Sequence, residues 1–123
     1  MENGNLSPKK KALRKKESEK FLAKEIYERI FNAGVEKTAE IFFVKPEEVT
    51  KLVMPIIRKN KEFDKFQTLV DKQKLFLICD KIKELQTFST RKLFEHCELF
   101  AKEWEILIAR EFLRQNLNRE SFD

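Results

Sequence analysis

The chain is predicted to be all-α, because it is almost free of glycine, densely charged, and apolar at every third or fourth position. Gly4 and Gly34 are its two glycines in 123 residues. Hairpins need residues that reach positive φ at little cost, so a sheet protein is hard to build from this chain. Charged residues make up 38% of it, which suits the solvated sides of amphipathic helices. One domain of this length can bury roughly two-thirds of its unfolded surface. Four to five helices are expected, with an N-terminal unit of about residues 20–60 packed on a helical hairpin of about 61–118. That hairpin would include a long C-terminal helix.

The first element is an arm. Residues 1–16 carry Lys9, Lys10, Lys11, Arg14, Lys15 and Lys16 against Glu2 alone. The whole chain has 26 basic and 21 acidic residues; removing those six and that one leaves twenty of each. The net charge of +5 therefore belongs to the arm, and the rest is neutral. Asn3, Gly4, Asn5, Ser7 and Pro8 favour disorder, so residues 1–16 are expected to be a disordered basic arm. Such an arm can lie along DNA phosphates and release counterions, hold an acidic partner, serve as a nuclear address, or simply solubilise.

The first helix is expected from near Lys10 to Asn32. Leu13, Phe21, Leu22, Ile26, Ile30 and Phe31 form its stripe, and Gly34 suits a left-handed cap. A short helix over about Glu36–Phe43 follows, then one from Pro46 to about Asn60. Pro46 presets φ at a helix start, and Glu47 and Glu48 sit at the positive end of the dipole. Pro55 removes a backbone donor, so a bend or break is expected near Lys51–Met54.

Within Val35–Met54 the spacing is distinctive. Ala39 falls where two helices touch most closely, Val44 follows in the turn, and Val49 and Leu52 lie one turn apart on the next helix. This stretch resembles the helix-turn-helix family of DNA-binding proteins, over about a sixth of the chain. Phe43 departs from the pattern by standing where that family usually has glycine, so the turn must be built without a residue suited to φ > 0. The resemblance implies a recognition helix at Pro46–Asn60 and double-stranded DNA as partner, in transcription or replication control. With Val49, Leu52 and Val53 inward, Glu47, Glu48, Thr50, Lys51, Met54 and Arg58 would face outward. Lys45, Thr50, Lys51 and Arg58 join the six basic arm residues as the candidate DNA contacts, since bases and phosphates favour donors. Glu47 and Glu48 suit that role poorly, which keeps a protein-interaction or adaptor module open as the alternative.

The second half begins at Phe63. Phe63, Phe66, Leu69 and Val70 mark one amphipathic segment, continued by Leu75, Ile78, Cys79, Ile82 and Leu85 after a kink near Asp71-Lys72. Gln86–Thr90 breaks the rhythm, with Ser89 a natural N-cap. The last helix is expected from Thr90 to about Asn116, with residues 119–123 frayed. Residues 82–93 echo the first motif weakly, and a plain helical hairpin explains them better. The last helix is apolar over half its circumference, through Leu99, Phe100, Trp104, Ile106, Leu107, Ile108, Phe112 and Leu113. It is either central in the fold or the seam of a homodimer.

Catalytic chemistry finds no motif. There is one histidine, His96, and neither a phosphate-binding glycine loop nor a Ser-His-Asp or HExxH arrangement. Glu17 with Glu19, and Glu103 with Glu105, lie two apart and are expected to be solvated charges. Cys79 and Cys97 lack metal-ligand spacing and read as free buried thiols of a reducing compartment. No metal or cofactor is expected. No apolar run approaches the roughly 18–20 residues of a membrane span, and no signal peptide is evident. The expected location is cytoplasmic, at the nucleoid or, in a nucleated source, in the nucleus.

Overall fold

The computed structural model describes the backbone of residues 8–117 and the side chains of residues 17–116. Among the described residues there are seven helices and no strand: α1 (Pro8–Ala33), α2 (Val35–Phe42), α3 (Pro46–Asn60), α4 (Phe63–Gln67), α5 (Lys72–Leu85), α6 (Thr90–Cys97) and α7 (Glu103–Leu117). The all-α expectation holds, while the expected four to five helices become seven. Residues 1–7 and the expected frayed tail, 119–123, lie outside the described residues. Pro8–Lys16 form the first turns of α1, which begins two residues before the expected Lys10 and takes in most of the basic stretch.

The extra helices come from local capping. The second-half segment does not kink at Asp71 but stops: the Asp71 carboxylate accepts the Lys74 backbone N–H at 3.2 Å and starts α5 as its N-cap. The long C-terminal helix also divides. After α6, the N–H groups of Phe100 and Ala101 both donate to the Cys97 carbonyl, at 3.0 and 2.8 Å. Glu105, three residues beyond Lys102, accepts the Lys102 N–H at 2.8 Å, the carboxylate half of a capping box that opens α7. Ser89 caps α6 as expected, accepting from Lys92 N.

Three helices end without glycine. Phe43 (φ 57°), Lys61 (φ 55°) and Gln86 (φ 53°) are left-handed. Each is followed by a residue whose N–H reaches back to the helix: Val44 to Ala39 at 3.1 Å, Glu62 to Ile57 at 3.0 Å, Thr87 to Ile82 at 3.4 Å. This is the six-to-one bond of a Schellman motif, closed three times by residues that carry a Cβ. At Phe43 the turn uses positive φ on a residue unsuited to it, and the phenylalanine accepts the strain. Gly34 (φ 85°) would meet no atom with an added Cβ, so its conformation alone accounts for glycine there.

α1 packs on α2 and α3; α5 and α6 pack on α7; α3 and α4 also contact α7 and join the two halves. The core runs through Ile26, Ile30, Val49, Val53, Ile57, Phe66, Ile78, Ile82, Leu93, Ile106 and Ile108. α7 is the central element. Ile106, Leu107, Ile108 and Ala109 are all buried within one chain, so the apolar surface that suggested a homodimer seam faces the protein's own core. Leu99 (97% exposed) and Phe100 lie in the break between α6 and α7, not on a continuous face. α3 runs through Pro55 without the expected break. The ring is on the solvated side, where the helix tolerates the lost donor best.

Candidate nucleic-acid interface

α2, the Phe43–Lys45 turn and α3 position the candidate contacts. Ala39 is buried where α2 meets α3, and the expected helix bounds hold to within one residue for α2 and coincide for α3. Lys45 is exposed in an extended conformation just before α3. Lys51 is exposed on the outer side of α3. The backbone places Lys9, Lys10, Lys11, Arg14, Lys15 and Lys16 in the opening turns of α1; their side chains lie outside the described residues.

Two expected outward residues are elsewhere. Thr50 is fully buried and its hydroxyl donates to the Pro46 carbonyl at 3.0 Å. A threonine one turn into a helix satisfies itself this way, leaving nothing for a base. Met54 is likewise buried. Both sit on the same side as Val53 and Ile57, because α3 is covered by α1 on one flank and α7 on another. A two-helix motif of α2 and α3 shows neither of those partners.

Arg58 is half exposed, but its fork is occupied. Nε and Nη2 donate to the two Glu111 oxygens at 2.9 and 2.8 Å. Glu111 is buried, and Gln115 Nε2 donates to it at 3.1 Å. Burial alone would push the Glu111 carboxyl up; the Arg58 bonds and charge outweigh it and hold the group below the ordinary glutamate value. Arg110 stands beside this pair. Its Nη1 donates to Thr90 Oγ1 at 2.7 Å and to the Phe88 carbonyl at 3.3 Å, and burial lowers its pKa. Arg114 lies over the Phe88 ring at 4.8 Å. Three guanidiniums thus surround one carboxylate, a local excess of positive charge that links α3 to α7. Nothing in the sequence pairs Arg58 with a residue 53 positions away.

A groove of about 620 Å³ separates α1 from α3. Its floor is Ala23, Leu52, Pro55 and Ile56; its rim is Lys20, Lys51 and Lys59, with Glu19. Pro55 has no N–H, so the Lys51 carbonyl loses its usual donor within this groove. At the opposite end of α3 the charge reverses. Glu36, Glu47, Glu98 and Glu103 line a pocket of about 380 Å³ with Trp104 and Phe94. Lys102 pairs there with Glu36, and that bond holds the Glu36 carboxyl below its ordinary value. Phe43 stands next to this acidic rim, 94% exposed.

Glu105, expected to be solvated, is buried and accepts from Lys74 Nζ at 3.1 Å as well as from Lys102 N. Cys79 and Cys97 are buried free thiols; burial pushes Cys79 up to about 11 and raises Cys97. Both are thereby kept from the reactive thiolate form. Among the described residues no three potential ligands gather as a metal site, and no helix is long and apolar enough to cross a membrane. No protein-family model, curated protein or solved structure matches the chain.

Proposed function

We propose that this protein is a non-enzymatic DNA-binding protein that holds duplex DNA chiefly through phosphates. The observation that carries the reading is the density of positive charge at one end of the fold: six basic residues in the opening turns of α1, then Lys20, with Lys51 and Lys59 across the groove against Glu19. Phosphate contacts of this kind need charge and reach, not base-specific geometry. The α2–turn–α3 spacing supports a helix-turn-helix-like scaffold, with Lys45 and Lys51 exposed on it. The carboxylates at the start of α3 argue for backbone binding over base reading at that end. Thr50 drops out of the contact set, and Arg58 contributes only what its pairing with Glu111 leaves.

Fluorescence anisotropy with duplex DNA across a salt series tests this. Changing the six basic residues Lys9–Lys16 to glutamine in the full chain should flatten the logarithmic salt slope by up to about 0.9 per lost contact. Lys51→Ala should reduce it by about one. An unchanged slope, or no binding by the wild type, overturns the reading. The second reading, a protein-interaction module, is favoured by the apolar floor of the groove and by exposed Phe43.

A further inference from the structure

We infer that this protein assembles head to tail, with Phe43 of one copy seated in the α1–α3 groove of the next. Phe43 is doubly unfavourable in an isolated chain. Its φ of 57° is a left-handed conformation that a bulky residue adopts at a cost, and its ring is almost wholly in water. Strain and exposure at one residue are tolerable where a contact outside the chain recovers the loss, as a buried aromatic anchor does at an interface.

The groove supplies what such an anchor needs. It has an apolar floor at Leu52 and Ile56 and room for a phenyl ring. The charges also match. Phe43 is flanked on α2 by Glu40 and by Glu36, which Lys102 already pairs, whereas the groove rim holds Lys20, Lys51 and Lys59 against Glu19 alone. Opposite potentials favour this pairing and oppose knob-to-knob or groove-to-groove contact. The knob sits in the turn before α3 and the groove along the later turns of α3, so the interface is heterologous and each copy keeps one of each free for the next. The opening turns of α1 are no part of the seam. Lys20, Lys51 and Lys59 are shared with the DNA reading, so self-association is measured without DNA.

Sedimentation velocity on the full chain, over a concentration series at about 50 mM and about 500 mM salt, reads the assembly and its screening. The wild type should grow beyond a dimer with concentration at low salt, and less so at high salt. Phe43→Gly should relieve the strain, raise the melting temperature and weaken association roughly 30-fold, the loss expected of a hot-spot anchor. Ile56→Asp, at a half-buried groove position, should weaken it comparably. The exposed-charge variant Lys51→Glu tests the rim without touching the floor, and Glu40→Lys on the other copy should restore its binding. An equimolar mixture of Phe43→Gly and Ile56→Asp should form a dimer and nothing larger, since one sound knob meets one sound groove. A wild type that stays monomeric, a Phe43→Gly variant that associates as the wild type does, or a mixture that fails to dimerise would each overturn the proposal.

Discussion

Arg58 shows how far one residue's role depends on what lies across the fold. On α3 alone it is an outward arginine; in the folded chain it neutralises a carboxylate on α7. The pair is asymmetric, with side-chain exposures of 49% for Arg58 and 2% for Glu111. Removing the cation therefore leaves a buried charge with one amide donor, whereas removing the carboxylate lets the arginine turn to water. Arg58→Ala should cost about 2–3 kcal/mol, below the fully buried range because Arg58 is half exposed. Glu111→Gln should cost less. Glu111 is held below its ordinary value in the fold, so its stabilising contribution is present above that value and fades as pH falls through the lower, folded one. In Arg58→Ala the buried carboxyl instead prefers its proton, so the deficit against wild type should shrink on acidification. Urea unfolding at neutral pH and near pH 4 checks both signs; a deficit that widens on acidification would contradict this account.

At the scale of elements, the helix ends carry the instructive detail. Ser89 is a sequence-legible cap and starts the helix it is expected to start, whereas Asp71, expected only to mark a kink, caps a separate helix. The C-terminal ends are different. Left-handed closure at Phe43, Lys61 and Gln86 is invisible in a residue list, because none of the three has a preference for that conformation. Tertiary packing imposes it: the chain must reverse there so that the next helix can return to the core. Gln86 is exposed and its side chain caps nothing, so Gln86→Gly should stabilise the protein by about 1 kcal/mol. Thermal melting provides the check, and a loss of stability would mean that the Gln86 side chain does more than its geometry shows. Phe43 differs from the other two in being a large apolar residue left in water, which is why a binding role is assigned to it alone.

For the molecule as a whole, α7 decides the architecture. It contacts α3, α4, α5 and α6 and buries Trp104 together with Ile106, Leu107 and Ile108. Trp104→Glu should therefore unfold the chain, seen as lost helical circular dichroism, and not release folded monomers from a dimer. A folded monomeric Trp104→Glu would return α7 to the role of an intermolecular seam. The distribution of charge is also a property of the whole: acids gather near the start of α3, lysines line the α1–α3 groove, and three arginines meet near Glu111.

Helix type, the bounds of α2 and α3, the cap at Ser89, and the concentration of positive charge before residue 17 follow from the sequence alone. They rest on interactions within one or two helical turns, where periodicity, capping chemistry and composition act directly. The burial of Thr50, Met54 and Glu105, the Arg58–Glu111 pair and the apolar groove were decided only by tertiary structure. Each requires knowing which helix covers which face. In a chain with helices all around α3 and α7, the same apolar stripe fits several neighbours, and packing selects one.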